Sequence, residues 1–430
     1  MSLVNRLAAF VARRTMNRSL RFEAAAPALP PADARPRLAY LHVPFCESLC
    51  PYCSFHRVVY DEHLCRTYFA ALRAEIGRYH RLGFVFDSLY VGGGTPTVLV
   101  DELAQTIALM RDRFPVRRVS VETNPNHLTE ERLAALERAG VNRLSVGIQS
   151  FDDGLLRAVN RYDRCGSGEL TARRLRSTLG RFDTVNADMM FNFPAQTEAM
   201  LERDLSVLAG TGVDQVTYYP LMVADTTRRL IEGSVGRVDF SREAALYRRI
   251  VERLAPAYER STAWCFSRPR PGRLLDEYIV DNDEYAGLGS GAIGYLAGTC
   301  YANTFDIPEY VAVLGQGRLP LRSARRFSRR EQARYGLLMR LFSGRLDTAD
   351  FSRRHHGLWR LVGPELLAAG LAGGLRTSGP GIELTERGYC LWVVLMREFF
   401  TAVNNLRAAA RRAQSDAQFL DSGRRIRSRI

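Results

Sequence analysis

The chain has 430 residues, 46% of them hydrophobic and 25% charged, so it can bury a large core in one big domain with a smaller one attached. Its formal net charge is +14, and all 60 lysine-or-arginine positions are arginine, which excludes a Schiff-base lysine and a phosphate-loop lysine. Arginine favours bidentate contacts with carboxylates and phosphates, so the charge predicts an anionic substrate or surface, whereas no nucleic-acid-binding motif accompanies it and no nucleic acid partner is expected.

The first 37 residues are predicted to be a basic N-terminal extension and a linker. Residues 1–22 contain five arginines and no acidic residue, with apolar residues at helical spacing (Leu3, Leu7, Phe10 and Val11). This pattern predicts a basic amphipathic helix that lies on an anionic membrane surface, caps the main domain or folds over a substrate cleft. A Pro/Ala linker follows. No apolar run is long enough to span a bilayer and no secretory signal is present, so a cytoplasmic location is expected.

Short apolar strands then alternate with amphipathic helical patterns. The predicted strands are Leu38–Val43, Ser88–Val91, Arg118–Glu122, Arg143–Ile148, Thr184–Met190 and Gln215–Tyr219. The predicted helices cover residues 63–80, 101–114, 129–139, 153–160, 169–180 and 198–210. Such a succession predicts an α/β fold, a partial (β/α)6 TIM-like barrel with a smaller, mostly helical C-terminal domain. Ligands of such folds bind at the carboxyl ends of the strands.

The repeat ends after Pro220, and the remaining sequence changes character. Residues 283–298, DEYAGLGSGAIGYLAG, contain closely spaced glycines, and the chain beyond them reads as mostly helical. The predicted domains are a core with a Gly-rich extension at 38–306, a helical or winged-helix-like domain at 307–406 and an Arg-rich disordered tail at 407–430.

Three cysteines, Cys46, Cys50 and Cys53, form a C-x3-C-x2-C run directly after the first predicted strand. This spacing suits three corners of a [4Fe–4S] cube and leaves the fourth iron open. Zinc is the alternative, but a structural zinc site takes four ligands, and no fourth Cys or His lies at matching spacing; His42 and His56 flank the run as weak candidates. An odd number of thiols in a reducing compartment argues against a disulfide.

A run of glycines, YVGGGTPT, follows the second predicted strand. Gly92, Gly93 and Gly94 lack side chains and therefore let the backbone approach a ligand closely, with Thr95 next to them. Their N–H and C=O groups can bind the amino-acid end of a small zwitterion. A tight turn without a ligand is an equally good interpretation.

Polar residues at later strand ends form a complementary set. Glu122 and Asp188 offer carboxylates, Gln149 an amide and Arg161 a guanidinium. Each alone is also typical of a surface or helix-capping residue. Together they match the functional groups of S-adenosylmethionine (SAM). Aromatic surface near the thiols comes from Tyr40, Tyr52 and Phe55, for which packing in the core is as good an interpretation as cofactor stacking.

These motifs resemble the radical SAM superfamily. CESLCPYC matches its cysteine signature and GGGTPT its glycine motif. HVPFC, GGGTPT, VNRLSVGIQSFDD, VNRYD, the FP-x-QT of MMFNFPAQT and GLGSGAIGYLAGTCYANT, in that order, resemble the oxygen-independent coproporphyrinogen III oxidase-like branch. The similarity extends over residues 38–400.

The resemblance implies a [4Fe–4S] cluster on the three cysteines, with one SAM or two bound beside it. An electron donor such as flavodoxin or ferredoxin would trigger cleavage of SAM to methionine and a 5′-deoxyadenosyl radical, which takes a hydrogen atom from the substrate. The motif positions assign Gly92, Gly93, Gly94 and Thr95 to the amino-acid end of SAM, Glu122, Gln149, Arg161 and Asp188 to SAM binding, and Ile293 to the adenine. A tetrapyrrole is the expected substrate class.

One position departs from the oxidases, which carry a further cysteine two residues after the third cluster ligand. Phe55 stands there instead. The alternatives to oxidase-like chemistry are therefore a class C radical SAM methyltransferase that uses two SAM molecules and a heme-binding chaperone. For the chaperone, His355 and His356 are the candidate axial donors.

Overall fold

The computed structural model describes residues 3–22, 28–270, 282 and 284–427. Within these ranges the helices are α1 (Leu3–Ser19), α2 (Glu62–Arg81), α3 (Val100–Arg113), α4 (Glu130–Arg138), α5 (Asp153–Ala158), α6 (Tyr162–Cys165), α7 (Gly168–Arg176), α8 (Glu198–Thr211), α9 (Arg228–Val235), α10 (Glu243–Leu254), α11 (Ile307–Gly315), α12 (Arg329–Phe342), α13 (Thr348–His355), α14 (Leu358–Leu371) and α15 (Glu386–Arg427). Of these helices, none combines the length and the hydropathy needed to cross a membrane.

The strands in the same ranges are β1 (Pro36–Val43), β2 (Phe45–Cys46), β3 (Val58–Val59), β4 (Val85–Gly93), β5 (Arg118–Thr123), β6 (Arg143–Gln149), β7 (Thr184–Phe191), β8 (Gln215–Pro220), β9 (Glu259–Arg260), β10 (Cys265–Ser267), β11 (Tyr285–Leu288), β12 (Ile293–Leu296), β13 (Thr299–Asn303), β14 (Leu321–Arg326), β15 (Arg345–Asp347), β16 (Leu375–Ser378) and β17 (Gly381–Leu384).

One twelve-stranded sheet organises the molecule, in the order β14-β13-β12-β11-β1-β4-β5-β6-β7-β8-β10-β9. The strands from β11 to β8 in this order pair in parallel, and helices connect β1, β4, β5, β6, β7 and β8 in succession. In the described part of the chain the sheet does not close into a full barrel. The predicted fold class, a partial α/β barrel with a mostly helical C-terminal region, is confirmed.

The parallel strands are largely buried on both faces, although β5, β6, β7 and β8 alternate polar with apolar residues. Every residue of β1 except Pro36 is buried, and in β8 only Tyr219 is partly exposed. Each of the six predicted strands lies within an observed strand. The carboxyl ends of these strands therefore meet along one edge of the sheet, where the predicted site residues were expected.

A buried carboxylate fixes the Gly-rich segment to the parallel sheet. Glu75 on α2 accepts hydrogen bonds from the Gly289 amide at 2.8 Å, the Asn303 side-chain amide at 2.9 Å and the Tyr310 hydroxyl at 2.5 Å. Burial raises the pKa of Glu75 to about 7, while the three donors act in the opposite direction. Because all three donors lie on or after β11, this network holds the end of the sheet against α2.

The segment after β14 contains a second, smaller unit. Strands β15, β17 and β16 form a three-stranded antiparallel sheet in that order, packed with α12, α13 and α14. Trp392 on α15 donates to the Leu338 carbonyl of α12 at 3.0 Å, which ties the unit to α15. Helix α15 then continues past this unit to the main sheet.

Helix α1 packs against α15 through a network of ion pairs. Arg397 pairs with Glu243 of α10 at 2.7 Å and with Glu398 at 2.6 Å, and Arg13 of α1 pairs with Glu398 at 2.7 Å. The opposite face of α1 exposes apolar side chains between arginines (Leu7, Phe10 and Val11). Contact of this face with an anionic membrane surface stays a prediction.

Helix α15 extends through residues 407–427, for which composition predicted a disordered tail. The helix is held at Gln414, a buried residue whose side-chain amide donates to Thr304 at 2.6 Å and to Glu309 at 2.5 Å and accepts from the Phe305 amide at 2.9 Å. These contacts come from a distant part of the chain, so composition alone does not reveal them.

Candidate functional site

A cavity of about 250 Å³ lies at the carboxyl ends of the parallel strands. Most of the predicted site residues line it: Tyr40, Cys46, Cys50, Tyr52, Cys53, Phe55, Gly93, Gly94, Thr95, Glu122, Gln149, Arg161 and Asp188. They come from five different strands, from the cysteine loop and, in the case of Arg161, from the turn between α5 and α6, so only the fold brings them together.

The cysteine loop is closed by a short strand pair. Cys46 ends β2, which pairs in parallel with β3, and the Tyr60 amide donates to the Cys46 carbonyl at 2.9 Å. The Cys53 amide donates to the Cys50 carbonyl at 3.3 Å, which makes a tight turn between these two thiols. Pairing at the loop ends and this turn together present the three thiols to one cavity.

The three thiols differ in their electrostatic surroundings. Burial raises the pKa of the Cys46 thiol to about 11 and also raises the pKa of Cys53. Burial raises the pKa of Cys50 as well, but the positive charges of Arg161 and Arg164 outweigh it and lower the pKa overall. Positive charge therefore favours the thiolate, the form that binds metal, at Cys50, whereas burial disfavours it at Cys46 and Cys53.

Gly94 lies directly against the cysteine loop. Its amide donates to the Val43 carbonyl at 2.8 Å, and the Thr95 amide donates to the Phe45 carbonyl at 2.8 Å. A Cβ atom on Gly94 would lie 2.5 Å from the Phe45 carbonyl oxygen and 3.0 Å from the Cys46 sulfur. Only glycine permits this approach, so the glycine motif positions the first cysteine as well as lining the cavity.

Two carboxylates face the cavity from β5 and β7. Glu122 accepts from the Tyr90 hydroxyl at 2.8 Å and the Gly93 amide at 3.0 Å. Burial and, after it, the charge of Asp188 raise the pKa of Glu122 to about 7. Burial likewise raises the pKa of Asp188 to about 6, against the positive charge of Arg143 and hydrogen bonds from Ser145 and Asn186. A cationic ligand beside them would relieve this mutual repulsion.

Two further cavity residues have buried polar atoms without a hydrogen-bond partner in the described part of the chain. These atoms are Oε1 of Gln149 and Nε of Arg161. Gln149 also has a φ of 67°, which is uncommon for a residue other than glycine. The other guanidinium nitrogens of Arg161 contact the Cys50 sulfur at 3.9 Å, the Asn124 side-chain oxygen at 3.0 Å and the Gly147 carbonyl. Unsatisfied polar atoms and local backbone strain at a cavity wall are typical of a ligand site.

Two predicted site residues are not on the cavity wall. Gly92 lies behind it, where a Cβ atom would approach the Glu122 carboxylate to 2.7 Å. Ile293, for which the resemblance implies contact with adenine, packs instead in a separate apolar cluster with Tyr295 and Phe305. Its contact with adenine stays a prediction.

The flanking histidines also lie behind the cavity wall. His42 has both ring nitrogens engaged, with the Tyr40 hydroxyl at 2.9 Å and the His56 carbonyl at 2.9 Å. Burial lowers the pKa of His42 to about 4 and lowers the pKa of His56 well below its usual value. Both rings are therefore neutral near pH 7, and His42 supports Tyr40 rather than facing the cavity.

Sequence reasoning missed the part of the wall that comes from outside the six β-α units. This part includes Trp264, Phe400, Asn404 and Arg407, the last three of which lie on α15. For the three residues on α15, the sequence predicts an apolar helix. A helical pattern does not reveal which surface of the protein the helix covers.

The family model for the radical SAM superfamily matches residues 40–208. The heme chaperone HemW of Mycobacterium tuberculosis is 32% identical over 318 residues, which cover 69% of this chain and 78% of that protein. The chain belongs to the radical SAM superfamily.

Further comparisons confirm the predicted branch of this superfamily. The oxygen-independent coproporphyrinogen III oxidase of Bradyrhizobium diazoefficiens is 29% identical over 359 residues, 76% of this chain and 77% of that protein. The structure of the Escherichia coli coproporphyrinogen III oxidase HemN has a TM-score of 0.72 at 22% identity and covers 90% of this chain and 93% of that chain, which shows a shared fold.

Membership of the radical SAM superfamily implies a [4Fe–4S] cluster and SAM, and the cavity fits both. Among the described residues, no three His, Cys, Asp or Glu side chains converge on a single metal ion. A cube differs from such a site because each thiolate binds its own iron, which suits three cysteines that line one cavity. The unsatisfied atoms of Gln149 and Arg161 and the buried carboxylates of Glu122 and Asp188 give the cavity polar groups that complement those of SAM.

Proposed function

We propose that this chain is a radical SAM enzyme whose cluster is held by Cys46, Cys50 and Cys53 and whose substrate is a tetrapyrrole. The observation that carries the proposal is that these thiols and the carboxylate, amide and guanidinium groups expected to bind SAM line one cavity. Bound together, the cluster and SAM supply a carbon-centred radical that removes a hydrogen atom from the substrate.

Within this cavity each group of the chain has a distinct task. Because the amides of Gly93 and Gly94 already donate to Glu122 and Val43, it is their backbone carbonyl side that receives the ammonium group of SAM. Arg161 offers its Nε to the carboxylate of SAM. Glu122 and Asp188 provide negative charge for the cationic part of SAM. Trp264 and Phe400 cover the cavity and exclude water from the reacting groups.

A tetrapyrrole is favoured by two features. The relatives HemW and coproporphyrinogen III oxidase carry names that refer to heme or to a porphyrinogen. The cavity wall away from the cysteine loop is apolar and partly aromatic, as a flat macrocycle requires (Met190, Tyr219, Met222, Trp264 and Phe400).

The test is anaerobic reconstitution with iron and sulfide, followed by incubation with SAM and dithionite, with and without coproporphyrinogen III or heme. We expect 5′-deoxyadenosine from the cluster-loaded protein, and more of it when a tetrapyrrole substrate is present. S-adenosylhomocysteine alongside it would identify methyl transfer. A fully cluster-loaded protein that forms no 5′-deoxyadenosine under any of these conditions contradicts the proposed enzyme.

The second candidate is a heme-binding chaperone, which Phe55 favours because the oxidases carry cysteine at that position. Heme would then bind without being consumed. His355 and His356, the candidate axial donors, end helix α13, and neither lines the cavity. Heme titration of a His355→Ala/His356→Ala variant decides their role, since unchanged heme affinity rules this pair out.

The two cavity carboxylates predict how SAM affinity depends on pH. Their pKa values of about 7 for Glu122 and about 6 for Asp188 mean that both protonate as the pH falls through this window. A cationic ligand binds the deprotonated forms more tightly, so the affinity for SAM should rise about tenfold between about pH 5.5 and about pH 7.5. Anaerobic equilibrium dialysis measures the affinity for SAM at each pH.

Glu122→Gln provides the matched control for this pH dependence. The variant keeps the shape of the side chain and removes its titration, so we expect weaker binding at pH 7.5 and a clearly flatter profile. A wild-type affinity that does not change with pH, or an unchanged slope in Glu122→Gln, would show that Glu122 does not face the cationic part of SAM.

A further inference from the structure

A group of cations lies where α15 meets the cysteine loop. Arg407 is 9% exposed and lines the cavity, with its guanidinium carbon 4.7 Å from the centre of the Phe55 ring. Its Nη1 donates to the Asn404 side-chain oxygen at 2.8 Å. Arg57 also lines the cavity, from the cysteine loop, and donates to the Cys53 carbonyl at 2.6 Å.

Neither of these arginines has a carboxylate partner in the described part of the chain. Arg57 and Arg407 form no ion pair there, and the Nε atom of Arg57 is buried without a hydrogen-bond partner. Arg397, about three turns earlier on α15, pairs instead with both Glu243 and Glu398. Buried cations are costly unless an anion compensates them, so the arrangement at Arg407 lacks its anion.

The crowding of positive charge is visible at a third arginine. Burial, followed by the charges of Arg407 and Arg57, lowers the pKa of Arg411, which lies one turn beyond Arg407 on the same helix. Neutral side chains would fill this space without the free-energy cost of burying charge. Two guanidinium groups that line the cavity, with a third on the next turn of α15, therefore indicate an anionic ligand.

The cluster is one candidate anion, because Arg57 binds the loop that carries Cys53, and the charges of Arg57 and, more weakly, Arg407 act against burial to lower the pKa of the Cys53 thiol. Arg407 differs from Arg57 in its position. Arg407 extends from α15 and stacks on Phe55. It lies beside Asn404 and Phe400, which line the cavity and belong to neither the cysteine motif nor the motifs expected to bind SAM. This wall is the part of the cavity that remains for the substrate.

We propose that Arg407, held by Asn404 and stacked on Phe55, binds a carboxylate group of the substrate, with Arg57 beside it. A guanidinium offers two parallel N–H donors to a carboxylate, which gives orientation as well as affinity. The proposal rests on the proposed function, since it names the part of a tetrapyrrole that this wall recognises, its propionate side chains. Phe55 then serves as the platform that orients the arginine.

The test compares heme with heme dimethyl ester, in which both carboxylates are masked, on the cluster-loaded full-length protein. We expect the wild-type protein to bind heme about 10- to 100-fold more tightly than the ester. In Arg407→Gln the affinity for heme should fall close to that for the ester, while the affinity for the ester stays unchanged. Absorbance titration measures both affinities.

Two further variants control for folding and for general charge. Arg412→Gln removes an exposed arginine of the same helix and should leave both affinities unchanged. Arg407→Lys keeps the charge without the planar fork and should retain part of the preference for heme. Iron content and thermal unfolding are measured for each variant, so a misfolded Arg407→Gln is recognised and Arg407→Lys then carries the test.

Three results would overturn this inference. Equal wild-type affinities for heme and ester contradict carboxylate recognition while leaving a tetrapyrrole substrate in place. An equal loss of both ligands in Arg407→Gln, or a loss of iron, assigns Arg407 to the fold or to the cluster. Absence of binding by either ligand removes the tetrapyrrole itself, and the 5′-deoxyadenosine assay then reports separately on the radical chemistry.

Discussion

Cys46→Ala should abolish iron binding at the cysteine loop and reduce 5′-deoxyadenosine formation by about a thousandfold or more. The reason is that a cube held by three thiolates loses both its anchor and the charge balance of the loop when one thiolate is removed. Reconstituted protein should lack the visible absorption of a [4Fe–4S] cluster. Iron and sulfide analysis and chromatography of the nucleoside product measure the two effects.

Cys65→Ala is the matched control, because Cys65 is a fully buried thiol of α2 that is not on the cavity wall. Its loss should leave the cluster in place and lower the free energy of unfolding by about 1 kcal/mol, the cost of a small cavity. If Cys46→Ala retains a normal iron content, or Cys65→Ala loses it, the assignment of the cluster to residues 46–53 is wrong.

The sequence was sufficient for the six parallel strands β1, β4, β5, β6, β7 and β8 of the twelve-stranded sheet and for the edge at which their carboxyl ends meet. Short segments with apolar residues at alternating positions are typical of strands, so the strand at Thr184–Phe191 and its neighbours were predictable from local pattern alone. Because every parallel strand points the same way, Glu122 and Gln149 were expected at one edge once the strands were assigned. The cysteine and glycine motifs, recognisable in the sequence, also lie at that edge, since Cys46 and Gly94 line the same cavity.

The wall contributed by α15 was not predictable in the same way. Phe400, Asn404 and Arg407 lie on a helix whose position depends on packing against α1, α10 and the sheet extension. Contacts between segments that far apart in sequence leave no periodic signal, and the arginine-rich composition favoured disorder. The position of Ile293 depended on the same extension, where strand pairing buries it in another cluster.

Gly94→Ala should disrupt the site without removing any chemical group from it. The added Cβ atom would lie 2.5 Å from the Phe45 carbonyl oxygen, 2.9 Å from the Val43 carbonyl oxygen and 3.0 Å from the Cys46 sulfur. Two of these atoms are backbone, so the cysteine loop itself must move, and the hydrogen bonds that the amides of Gly94 and Thr95 donate to it are lost or weakened. Overpacking of this kind costs about 1–3 kcal/mol of unfolding free energy.

Displacement of the cysteine loop in Gly94→Ala should reduce cluster binding more than it reduces the stability of the fold. We expect Gly94→Ala to retain less than about a tenth of the wild-type iron after reconstitution, because a cube tolerates little error in the positions of its thiolates. Gly210→Ala is the control: it lies in α8 with no atom within 4 Å of the added Cβ, and it should raise the unfolding free energy by about 0.5–1 kcal/mol. Normal iron content in a folded Gly94→Ala protein would show that the glycine motif serves SAM alone and does not set the position of Cys46.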